Sequence, residues 1–289
     1  MQITTLLVPH DGSWMADRAL ACATTLQGAT GARLELLRIA PDLILGMQSL
    51  SRPRAGVAGL WDGTSTLERS TDLDDPVTII LDAIERRRPD LVVMPSDSWS
   101  SVGLGVDVAR QVARRSPVPI LVIPTGLESF RDDHDVRRLL VALDGSEQAE
   151  QALTPARALA DAFEADMLLL RVVTPKVAVF GGRVPDDDLD LAAARRYVED
   201  LARSLQTLGR RVSALAVAGE PGTMIAAVSR TQRAGLLAMT TRGKGAIGYS
   251  DLGGIVNSSL QSIGMPLLLV PPFAQTGRED RSPSSISKV

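Results

Sequence analysis

LLVPHDGS (Leu6–Ser13) and LLVALDGS (Leu139–Ser146) are one octapeptide written twice, with two changes, 133 residues apart. A short apolar run that stops at Asp-Gly-Ser predicts a buried strand. The serine then stands where its hydroxyl can cap the first free N–H groups of a helix. The likeness continues outward from there. ARLELLRIA (Ala32–Ala40) returns as ADMLLLRVV (Ala165–Val173), again 133 residues on. DPVTIILDAIE from Asp75 matches EPGTMIAAVSR from Glu220 at 145, and PILVIP from Pro119 matches PLLLVP from Pro266 at 147. The chain is therefore a duplication, and the second copy holds 12 extra residues in its middle and 2 near its end.

Short apolar strands alternating with helical patterns predict α/β units with a parallel sheet covered on both faces. In the second copy the expected strands are Arg137–Leu143, Ala165–Val173, Arg211–Ala218, Leu236–Met239 and Pro266–Val270. The expected helices run from Ser146 to about Ala162, from Asp186 to Leu208, from Pro221, and briefly from Gly254. The first copy is thinner between Pro41 and Asp75, where the spacing allows one weak strand near Val57 to Trp61, so its third unit is shortened. We place the units at residues 1–125 and 136–273, joined by GLESFRDDHD (Gly126–Asp135). The polar tail, 274–289, is expected to be disordered.

Composition narrows the function classes. Of 289 residues, 45% are hydrophobic and 22% charged, as in a globular protein. The formal charge of −3 and an aromatic content of 3% offer neither a basic field nor a stacking surface for nucleic acid. No apolar run is long enough to cross a membrane, and no charged-then-apolar leader opens the chain, so the expected location is the cytoplasm. One cysteine and two histidines cannot build a His/Cys metal cluster. Cys22 lies in a helical pattern and reads as core. His10 reads as a loop residue, Asp11 as a helix-start acid, and Trp14, Trp61 and Trp99 as packing or interface residues.

The chemistry concentrates in MTTRGKGAIGYSDLGGIVNSSL (Met239–Leu260), which holds five glycines, Arg242 and Lys244, and no acid before Asp251. Ordering such a loop costs entropy, which an anion on its backbone or a structural turn can offset. Gly245 follows Lys244 where a Walker loop needs Ser or Thr. GKGAIG (Gly243–Gly248) has dinucleotide-fingerprint spacing, but it follows the fourth strand rather than the first. In an open parallel sheet, ligands bind beyond the carboxyl ends of strands where strand order reverses. If strands one and four meet there, Asp144 and the glycine loop share one crevice, suited to a sugar hydroxyl and a phosphate chain.

These residues resemble the universal stress protein family in its tandem form, up to about Pro272. Nucleotide-binding members of that family carry G-x2-G-x9-G-(S/T) after strand four and an Asp ending strand one. Gly243 and Gly253 match the later part of that motif, while Thr240 replaces its first glycine and Gly254 its closing hydroxyl. The resemblance implies two five-stranded units of strand order 3-2-1-4-5. It further implies an adenine nucleotide, ATP or else ADP or AMP, with Mg2+ as a possible companion. Asp144 would hold the ribose, and Ala142 and Val172 the adenine. Met239 and Thr240 would flank the sugar, while Gly243, Gly253, Gly254 and Ile255 would contact phosphates, with Arg242 and Lys244 supplying charge. In the first copy Pro95 and Ser98 stand at the glycine positions and Asp107 at a helix start, so that copy reads as structural.

The last strands, PVPILVIP (Pro117–Pro124) and MPLLLVPP (Met265–Pro272), are apolar edges fenced by prolines. Pairing them across a pseudo-two-fold, as family dimers do, covers both. A homodimer of the whole chain is compatible with this. Three functions stay open: a non-catalytic nucleotide binder, a scaffold acting through protein partners without nucleotide, and a slow ATPase. No catalytic residue can be named from the sequence.

Overall fold

The computed structural model describes residues 1–41, 64–70, 75–96, 108–124, 136–175, 186–206, 211–242 and 264–272. In chain order the first unit is β1 (Thr5–His10), α1 (Trp14–Thr30), β2 (Arg33–Pro41), β3 (Thr64–Ser70), α2 (Pro76–Arg87), β4 (Leu91–Pro95), α3 (Val108–Arg115) and β5 (Ile120–Ile123). The second is β6 (Arg138–Leu143), α4 (Glu147–Glu150), α5 (Leu153–Ala162), β7 (Asp166–Val173), α6 (Asp186–Leu205), β8 (Val212–Ala218), α7 (Pro221–Thr231), β9 (Leu236–Thr240) and β10 (Leu267–Val270).

All ten strands form one sheet, ordered β3-β2-β1-β4-β5-β10-β9-β6-β7-β8. Each unit is parallel with the order 3-2-1-4-5. The single antiparallel junction joins β5 to β10, with Leu267, Leu268 and Leu269 opposite Val122, Leu121 and Ile120. The proline-fenced edges thus cover each other, and two layers of core run through both units. On one face α1, α5 and α6 pack through Leu20, Ala156 and Val198. On the other, α2, α3 and α7 pack through Ile80, Val112 and Ile225.

Sequence and structure differ in three places. The third strand of the first unit is Thr64–Ser70, paired along β2 from Glu35 to Pro41, whereas the expected segment, Val57–Trp61, lies outside the described residues. The helix expected from Ser146 to Ala162 is two helices. Pro155 has no N–H for the Gln151 carbonyl, and its ring crowds the preceding turn. The chain therefore turns at Gln151 and Ala152, whose N–H groups reach back to Gln148 and Ala149 at 3.2 Å, and Pro155 falls in the first turn of α5. Finally, His10 ends β1 and is buried rather than standing in a loop. The short helix from Gly254 and the tail lie outside the described residues.

Candidate functional site

At the carboxyl end of the second unit's sheet, β6 lies between β7 and β9. The chain leaves β6 toward β7 on one side and returns to β9 on the other, which makes the β6–β9 seam the point where strand order reverses. Residues 142, 172 and 239 carry their side chains on one face of the sheet. Val172 and Met239 are buried there, and Ala142 is half-buried against the same cluster. They make an apolar floor at the strand ends.

Asp144 follows β6 directly. Its Oδ1 accepts the Ser146 N–H at 2.9 Å and the Ser146 hydroxyl at 2.5 Å. Ser146 Oγ in turn accepts the Ala149 N–H at 3.1 Å, which starts α4. Gly145, with φ of 73°, supplies the left-handed turn that lets the aspartate fold back. The first unit repeats this clamp: Asp11 Oδ1 accepts the Ser13 N–H at 2.9 Å, and Gly12 has φ of 84°. Both aspartates therefore carry a helix-start duty.

On the opposite face a polar cluster faces Asp144. The Tyr197 hydroxyl, reaching in from α6, donates to Glu150 Oε1 at 2.9 Å. Burial, then the Glu150 hydrogen bond, push the phenol above its ordinary value of 10.0, with the Asp144 charge adding to the rise and Arg171 opposing it. Arg171 sits opposite Leu143 in the ladder and donates from Nη1 to the Val172 carbonyl at 3.0 Å. Tyr197, Glu150 and Arg171 escaped the motif reading because α6 is contributed by a helix remote in sequence. Glu150 has a counterpart, Asp17, that the 133-residue repeat identifies.

At the end of β9, the Thr240 hydroxyl donates to the Arg242 carbonyl at 2.7 Å, and the Thr241 N–H donates to the Val270 carbonyl at 2.9 Å. The threonine that replaces a family glycine is thus buried and tied into its own turn. The structure brings Ala142, Asp144, Val172, Met239, Thr240 and Arg242 to the same sheet end. Gly243, Lys244, Gly253, Gly254 and Ile255 lie outside the described residues, as do Ser98 and Asp107 of the first unit.

The first unit builds a different pocket end. His10 Nδ1 accepts the Gly12 N–H at 3.0 Å, which leaves the ring proton on Nε2 for Asp17 Oδ1 at 3.1 Å. Trp14 is half-exposed beneath the Arg18 guanidinium, 5.0 Å from the ring centre. Cys22 is fully buried, its thiol pushed up to about 12, so it is core.

The universal stress protein family model matches residues 2–124 and again 135–271. The chain belongs to the universal stress protein family. A universal stress protein solved from Archaeoglobus fulgidus superposes with a TM-score of 0.66 at 19% identity, covering 94% of this chain and all of that one. One from Pseudomonas aeruginosa gives 0.65 at 14% identity, over 94% of each chain. The universal stress protein in the QAH/OAS sulfhydrylase 3′ region of Thermus aquaticus is 29% identical over 134 residues, which span 46% of this chain and 98% of that protein. As in a tandem universal stress protein, each half of this chain is one family unit. Among the described residues no helix is long and apolar enough to cross a membrane.

Proposed function

We propose that this universal stress protein is a non-catalytic binder of an adenine nucleotide, ATP foremost, in its second unit. The observation that carries the reading is the convergence of Ala142, Asp144, Val172 and Met239 at the reversal of strand order, where the glycine-rich segment leaves β9. The apolar floor suits the base, and Asp144, at its rim, suits a ribose hydroxyl. Arg242, Lys244 and the backbone of Gly243, Gly253, Gly254 and Ile255 suit the phosphates, with any Mg2+ bound through the phosphates themselves. In the first unit Pro95, which has no N–H, ends β4 at the place of Thr240, so we assign that unit a structural role and expect one nucleotide per chain.

A second reading, a scaffold that works through protein partners, is favoured by the clamp shared by Asp11 and Asp144. Mass spectrometry of small molecules released from freshly purified full chain separates the two. The nucleotide reading expects an adenine nucleotide approaching one per chain. A ligand-free protein that gives no binding heat with ATP, ADP or AMP sinks it and leaves the scaffold.

A further inference from the structure

β8 ends the sheet on the side of the second unit, and among the described elements it has a neighbouring strand on one side only. Its backbone alternation is set by β7. The Met167 N–H donates to the Arg211 carbonyl and the Gly219 N–H to the Val173 carbonyl, both at 2.9 Å. Residues of a strand turn their N–H and C=O alternately to either side. Odd-numbered residues from 211 to 219 therefore face β7, and Val212, Ala214, Ala216 and Ala218 face outward. The Val212 carbonyl is already engaged by Gln206 Nε2 at 2.9 Å. Three consecutive outward positions, all alanine, remain.

This edge lacks the usual protection. VSALAVA contains no charge and no proline, the devices by which proteins blunt an exposed edge. The opposite end of the sheet differs: β3, TSTLERS, carries Glu68 and Arg69. In addition, Leu215 and Val217 are only partly buried against their core cluster.

We propose that β8 pairs antiparallel with β8 of a second copy, about a two-fold axis through Ala216, so that two ten-stranded sheets become one. This register sets Ala216 against the partner's Ala216, and Ala214 against the partner's Ala218, in hydrogen-bonded pairs that use only the three alanines. On the adjoining face it sets Leu215 against the partner's Val217, an aliphatic pair in the close, non-hydrogen-bonded position. It also brings exposed Arg211 level with the partner's Glu220, and symmetry makes that opposite-charge contact twice. An axis at Leu215 would instead set Ala218 against the partner's Val212, whose carbonyl is occupied. The pairing is independent of nucleotide binding.

Sedimentation velocity of the full chain over a concentration series tests this, with Ala216→Pro and Arg211→Glu as variants. Proline at 216 removes an outward N–H and leaves the β7 ladder untouched. Wild type should show a concentration-dependent monomer–dimer equilibrium. Ala216→Pro should weaken it by about tenfold or more, since two central bonds are lost. Arg211→Glu should weaken it several-fold, because like charges then face each other twice. Arg211 is exposed and outside the β8 span, so that variant decides the matter should the proline variant misfold. A wild-type chain that stays monomeric throughout overturns the proposal, including the case in which the edge serves another protein's peptide. A dimer indifferent to both substitutions does so as well.

Discussion

Asp17 and Glu150 occupy the same place in the two units, 133 residues apart, yet each carboxylate is held by a different donor. Asp17 takes the ring N–H of His10, from the strand beneath it. Glu150 takes the hydroxyl of Tyr197, from α6 above it. Where the first unit has His10 the second has Leu143, which cannot donate. A duplicated acid has thus kept its position and changed its partner, and in the second unit that partner locks α6 over the side of Asp144.

Tyr197→Phe should therefore do more than trim a surface group. It leaves Glu150 without that donor, and the expected loss is about 1 kcal/mol, at the modest end for a charged acceptor because the pair is partly exposed. Urea denaturation of wild type and variant measures it. A variant as stable as wild type would mean that the pair contributes nothing to docking α6.

The protein should also lose stability in alkali. Burial holds the Cys22 thiol protonated, lifting it from 9.0 to about 12, and Tyr197 is raised above 10.0 by burial and Glu150. Both are raised in the folded state, so their contribution is complete below the unfolded values and drains away as pH climbs through the folded ones. The window opens near pH 9. Thermal melts from pH 8 upward should fall, and the fall should be shallower in Cys22→Ala/Tyr197→Phe. Equal slopes would place the alkaline sensitivity elsewhere.

Leu268 and Leu121 face each other across the one antiparallel junction and are fully buried. Leu268→Ala should cost about 2–5 kcal/mol, as other fully enclosed leucines do. A loss below about 1 kcal/mol in chemical denaturation would show that the two units do not depend on this seam.

Most of this architecture is legible in the sequence, because strands buried on both faces must be apolar along their whole length. LLVPH, LLVAL, PILVIP and PLLLVP announce themselves that way, and the proline-fenced pair foretells its own junction. β3 does not, since TSTLERS at a sheet edge needs no apolar run. The break at Gln151 was written in Pro155 but masked by the helical spacing around it. At the site, Asp144 is visible from its repeat and its place after a strand. Its surroundings are not, because Tyr197 and Arg171 arrive through tertiary packing and carry no motif.

The account stands or falls on Asp144. Asp144→Asn keeps an oxygen for the Ser146 N–H, so the clamp and the fold should survive, while the charge-assisted bond to a ribose hydroxyl is lost. Asp11→Asn makes the same change in the first unit. Isothermal titration of ATP into wild type and both variants is the direct measurement. The expected result is one site per chain, weakened about tenfold or more by Asp144→Asn and unaffected by Asp11→Asn. Two equivalent sites, or an affinity that Asp144→Asn leaves unchanged in a folded protein, would contradict it.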